Sequence, residues 1–190
     1  DPVPENDSHG EFIFLAAETY RYTHDEALLR AVWPQVAKAA GYMDALRAST
    51  RTAEFQTPQT AHLYGLLPPT ISHEGYSDKP AYSYWDDFWG LLGYRDAVFI
   101  AEALGETEAA ARFRAGERQF TADFMRSVEA SAAFHGIDWI NGAADRGDFD
   151  ATSTTIGLSP AGMRDELPRE LLARTFDKYW ENFEARLGNR

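Results

Sequence analysis

The stretch Ser83-Tyr84-Trp85-Asp86-Asp87-Phe88-Trp89-Gly90-Leu91-Leu92-Gly93-Tyr94-Arg95-Asp96-Ala97-Val98-Phe99-Ile100 decides the reading of this chain. It has no period-two alternation and carries large apolar side chains at nearly every helical angle, which is the pattern of a helix covered on all sides. Gly105 supplies its C-terminal stop. The following segment, from about Thr107 to Ala132, has a single apolar stripe of Ala110, Phe113, Phe120, Phe124 and Val128, with Arg and Glu opposite. A covered helix followed by a one-sided helix is therefore the unit to look for elsewhere.

Upstream, Ser8 and Glu11 have the spacing of a capping box ahead of Phe12 to Ala17, and this helix is expected to be buried on most sides. Thr23 and Glu26 repeat the spacing before a stripe of Leu28, Leu29, Val32, Val36, Ala40 and Met43. Pro34 is expected to end a short helix near Trp33 and to open a new one. Downstream, a short segment from Thr152 to Leu158 is checked by Pro160. Pro168 then opens an amphipathic helix through Leu171, Leu172, Phe176, Tyr179, Trp180, Phe183 and Leu187, ending at Gly188. Residues 51–64 are a polar connection with room for a short hairpin. The fold class is accordingly all-α: three helical hairpins in a single domain over residues 1–190, as in part of a toroid with inner and outer rings.

Composition narrows the partners. Eighteen basic against thirty acidic residues give a formal charge of −12, a sign that repels phosphate backbones and anionic lipid, so neither nucleic acid nor a membrane is expected. No apolar run approaches the ~18 residues of a membrane span, and Asp1 to Glu5 lack the features of a signal peptide. A soluble chain is expected. With no cysteine, disulfides and thiolate chemistry are excluded while the compartment, secreted, periplasmic or cytoplasmic, stays open.

If the three covered helices run parallel, the loops entering them open at one end. These are residues 1–9, 70–83 and 141–152, which carry Glu5, Asp7, His9, His73, Glu74, Asp78, Asp145, Asp148 and Asp150 beside Tyr82, Tyr84, Trp85 and Trp89. Aromatic faces stack on sugar rings, carboxylates accept sugar hydroxyls, and two close carboxyl groups can cleave a glycosidic bond. Helix capping is the competing reason for such residues at such places: it accounts for Ser8 and Asp150 and extends to Asp86, which has a capping-box-like spacing from Ser83.

Gly65-Leu66-Leu67-Pro68-Pro69, Ile71-Ser72-His73-Glu74-Gly75-Tyr76, residues 82–93 and Gly147 to Thr155 together resemble bacterial proteins of the six-hairpin glycosidase superfamily. The resemblance spans nearly the whole chain and implies an (α/α)6 toroid, a neutral carbohydrate substrate and no cofactor. Tyr84-Trp85-Asp86, followed by an aromatic residue and Leu92-Gly93, is similar to the stretch of trehalases and processing α-glucosidases that holds the general acid. The implied catalytic residues are Asp86 first, then Glu74 and Asp87. Trp85, Tyr84, His73, Asp7, His9, Asp148 and Asp150 are the implied substrate contacts.

A general acid must start protonated, so its pKa needs raising by burial or by a neighbour such as Asp87 or Glu74. The family pattern has six hairpins and this chain shows three, without a residue matched to the catalytic base. The expectation is the general-acid half of a two-carboxylate site, inactive alone and completed by a second copy or a C-terminal half. The alternative is a non-catalytic carbohydrate-binding or structural module. No metal is expected: Asp86-Asp87 lacks the third aspartate of a magnesium motif, Asp145, Asp148 and Asp150 lack EF-hand spacing, and the five histidines lack zinc spacing. Nor does any basic run wait for a diphosphate.

Overall fold

The computed structural model describes residues 5–71 and 79–188. Six helices follow one another: α1 (Asp7–Thr23), α2 (Glu26–Thr50), α3 (Tyr84–Leu104), α4 (Thr107–His135), α5 (Ala151–Leu158) and α6 (Arg169–Gly188). Among the described residues the only extended pairings are two isolated antiparallel bridges, Thr70 with Ala81 and Ser83 with Ala143. The protein is all-α. Residues 51–64 form two 3-10 turns, Ala53–Phe55 and Ala61–Leu63, in place of the expected hairpin.

The helices pair as hairpins. α3 lies in the middle: its Tyr84, Phe88, Leu91, Tyr94, Ala97 and Ile100 are all fully buried. α4 returns antiparallel along it, with Tyr84 against Ser127 and Phe124, Phe88 against Phe124, and Arg95 beside Glu117. α1 runs parallel to α3. Trp85 meets Asp7 at one end and Asp96 meets Arg21 at the other, and between them the two backbones come so close that a Cβ on Gly10 would stand 2.0 Å from the Trp89 carbonyl oxygen. α5 also follows the direction of α3, with Gly157 against Phe88 and the Ala161 carbonyl accepting from Arg95. The first helices of the three hairpins thus share one direction.

Several local expectations are corrected. α1 buries one stripe, Asp7, Gly10, Ile13 and Ala17, while Phe12 and Leu15 on its far side are 36% and 64% exposed. Among the described residues it is an edge helix, packed on α3 and α2. Its N-cap is Asn6, and Ser8 donates to the Glu5 carbonyl at 3.0 Å without capping. Asp25, not Thr23, caps α2, accepting from Leu28 N–H at 2.9 Å.

Pro34 lies inside an unbroken α2. Pro34 and Arg30 are both exposed, so the helix continues through the proline on its solvent side, where a carbonyl without a helical partner is tolerated best. On α6 only Thr175 is buried. The apolar stripe read from the sequence exists, but Tyr179, Trp180 and Leu187 are 47%, 57% and 52% exposed, because α6 meets α5 along a short line and otherwise rests on residues 138–140 through Arg174, Thr175 and Lys178.

Candidate functional site

The parallel course of α1, α3 and α5 sets their N-termini at one end, and hydrogen bonds tie the three entry segments together there. Asn6 donates through Nδ2 to the Pro68 carbonyl at 2.9 Å, and the Trp85 indole N–H donates to Asp7 Oδ2 at 2.9 Å. The segment before α5 is stitched to the segment before α3. Ala144 N–H donates to the Tyr82 carbonyl at 2.8 Å and Tyr84 N–H to the Gly142 carbonyl at 2.9 Å. Tyr82 N–H donates to Asp145 Oδ1 at 3.0 Å, and Arg146 reaches the Lys79 carbonyl at 2.7 Å. Segments about sixty residues or more apart in sequence thereby form a single rim.

Asp86 and Asp87 enter α3 in its first turn, where the helix dipole favours negative charge. Ser83 is the N-cap residue, yet its side chain makes no cap, and its hydroxyl is buried without a hydrogen-bond partner. Asp86 is 1% exposed and its Oδ2 accepts from the Thr70 hydroxyl. Asp87 is wholly buried. Its Oδ1 accepts from Leu67 N–H at 2.9 Å while Oδ2 has no hydrogen-bond partner. Burial pushes the Asp87 carboxyl well above the usual carboxylate range, the adjacent Asp86 adds to the rise, and the Leu67 N–H and Arg47 oppose it.

Asp7 is also raised by burial, against the lowering effect of the Trp85 N–H. His9, edge-on to Tyr42 at 4.8 Å between ring centroids, is held below its ordinary value by loss of hydration. Tyr84 lies wholly inside: its ring packs edge-on against Phe124 and its hydroxyl is 2.8 Å from Ser127 Oγ. It presents no surface at the rim. Trp85 is half-buried, edge-on to Trp89, and stays partly open to solvent.

The acids of the third segment have structural work. Asp148 accepts from Ala143 N–H at 2.9 Å. Asp150 caps α5, accepting from Thr152 N–H at 2.9 Å and from the Ser153 hydroxyl at 2.7 Å. His73 and Glu74 lie outside the described residues. The rim therefore brings together Asp7, Trp85, Asp86 and Asp87 with Asp145, Asp148 and Asp150, and most of these carboxylates already accept hydrogen bonds.

A second cluster was not legible in the sequence. Arg47 and Arg51 at the end of α2 and Arg126 on α4 all bind the single carboxylate of Asp123. The i, i+4 spacing of Arg47 and Arg51 was visible as one helical face, but nothing in it pointed to a position more than seventy residues on.

Among the described residues no group of three or more His, Cys, Asp or Glu side chains could hold a metal ion, and no helix is long and apolar enough to cross a membrane. Comparison with known proteins finds no family model, no curated protein and no solved structure that matches the chain.

Proposed function

We propose that this chain is part of a carbohydrate-active protein of the six-hairpin glycosidase type, contributing the general-acid side of a two-carboxylate site that acts on a neutral sugar. The observation that carries the reading is the meeting of three distant entry segments at the N-terminal end of α3, where half-open Trp85 lies against Asp7 beside Asp86. Indole faces suit the C–H face of a pyranose, and flanking carboxylates accept its hydroxyls. Asp86 is the first choice for the acid. It is out of water, and the hydroxyl of Thr70 fixes one of its oxygens.

Hydrolysis with inversion places the second carboxylate about 6.5–9.5 Å from the acid, and retention about 5–5.5 Å. In this proposal the second group comes from a further copy of the chain or from further hairpins of a longer protein. The test uses neutral glucosides with the assembled protein. Asp86→Asn should leave binding, read by tryptophan fluorescence, within a few-fold while turnover falls at least ~100-fold, as for loss of a general acid. Turnover that survives the substitution removes the assignment, and saccharides that leave the fluorescence unchanged remove the whole reading.

Burial and hydrogen bonding favour a second reading, a non-catalytic sugar-binding or structural module. Asp86 and Asp87 are 1% and 0% exposed and each accepts a hydrogen bond that anchors residues 67–70 to α3. In that case Asp86→Asn lowers stability and leaves any saccharide affinity unchanged.

A further inference from the structure

Asp123, near the middle of α4, is 4% exposed. Three guanidinium groups hold it. Arg47 donates from α2 to Oδ2 at 2.9 Å, Arg51 donates to the same oxygen from the residue after α2, and Arg126 donates to Oδ1 from the next turn of α4. Arg47 is itself buried, spends a further donor on the Gly65 carbonyl at 3.0 Å, and lies over the Phe120 ring.

Gly65 has a φ of +80°, and a Cβ there would stand 2.3 Å from an Asp123 oxygen. The backbone after Tyr64 is thus drawn tightly against this carboxylate, which fixes where Tyr64 sits. The guanidinium carbons of Arg51 and Arg126 lie 5.1 and 5.6 Å from the centroid of the Tyr64 ring.

Asp123 faces three permanent cations, and Arg47 also faces the buried Asp87; the outer pair, Arg51 and Arg126, shares the single Asp123 carboxylate, a formal surplus of positive charge. Neither Arg51 nor Arg126 has another acidic partner within salt-bridge distance among the described residues. Arg47 is enclosed, but Arg51 and Arg126 are 25% and 56% exposed. Each donates through one nitrogen to Asp123, and both guanidinium groups lie within 6 Å of the centroid of one ring. Guanidinium forks match the oxygens of a phosphate or sulfate group better than any other basic side chain does. The overall charge of −12 opposes the approach of a long polyanion, which leaves a small one.

We propose that Arg51 and Arg126, gathered around Tyr64 and anchored by Asp123, bind a small doubly charged oxyanion, a phosphate or sulfate group. The site stands apart from the sugar-binding reading and does not depend on it. Calorimetric titration with inorganic phosphate at pH 8, ionic strength held constant with sodium chloride, tests it alongside thermal unfolding.

The expected result is saturable binding and a Tm that climbs with phosphate concentration. Arg126→Gln changes a side chain that is more than half exposed, so the fold survives, and it should weaken binding at least ~10-fold, the scale of one charge-assisted contact. Arg30→Gln, at an exposed arginine paired with Glu26, should leave binding unchanged. A monosaccharide phosphate that binds more tightly than inorganic phosphate marks the group as part of a larger ligand, and equal affinity marks the free ion; both support the site. A phosphate effect no greater than that of sodium chloride overturns the proposal, as does unaltered binding by Arg126→Gln.

Discussion

Asp86 and Asp87 are neighbours in the chain and meet different surroundings, since successive helical residues point about 100° apart. Asp86 finds the Thr70 hydroxyl. Asp87 finds one N–H for two oxygens in a dry site. Its raised pKa has a consequence for stability whose sign is fixed by linkage. Between the ordinary carboxylate value and the raised folded value, the folded protein holds a proton that the unfolded chain has released, so this group makes stability fall as pH rises through that window. Asp87→Asn keeps a carbonyl for the Leu67 N–H and removes the titration. Its Tm, followed from pH 4 to pH 8, should fall less steeply than that of the parent protein. Asp7 and Asp96, also raised, retain part of the slope. At this scale the sequence disclosed which residue types crowd the start of α3, but not which would be open. Tyr84 is sealed because Phe124 and Ser127, some forty residues later, lie on its face. Asp145 and Asp148 are occupied by backbone N–H groups that only the folded segment brings near them.

The contact of α1 with α3 is a glycine contact. Gly10 faces the Trp89 carbonyl, and a Cβ on Gly93 would stand 2.7 Å from the Gly10 Cα. Backbone cannot yield as a flexible side chain can, so Gly10→Ala should separate the helices and cost about 1–3 kcal/mol, the usual range for overpacking. Urea unfolding measures it, and a midpoint unchanged from the parent would contradict the close approach. Helix extents were readable because apolar periodicity and glycine stops are local: α3 ends at Gly105 with φ +77°, as its sequence requires. Burial was less readable. Phe12 and Leu15 suggested an enclosed helix, but enclosure depends on neighbours, and α1 has them on one side. Pro34 is a related case: it lies on the exposed side of an unbroken α2, and the packing that carries the helix through it is not local to the proline.

The whole molecule is a row of three hairpins whose outer edges carry unpaired apolar surface: Phe12, Leu15 and Leu28 at one edge, and Tyr179, Trp180 and Leu187 at the other. The proposed completion by a second copy makes a prediction that belongs to this scale. At micromolar concentration the chain should sediment with a concentration-dependent mass, and Trp180→Glu should shift it towards monomer; a sharp monomer under all conditions removes the proposal. The all-α class and the three-hairpin order were legible in the sequence, because each rests on local patterns. The common direction of α1, α3 and α5 could be posed from sequence only as a condition, since it depends on contacts such as Arg21 with Asp96, seventy-five residues apart. The stitching of Tyr82 to Asp145 spans 63 residues, nearly all of them in α3, α4 and the turn between them. Closing so long a loop costs conformational entropy that weighs against the four hydrogen bonds joining the two segments. The α3–α4 hairpin is therefore expected to assemble first and carry the two ends together, so that the rim forms late and, in amide exchange, opens ahead of the hairpin that holds it.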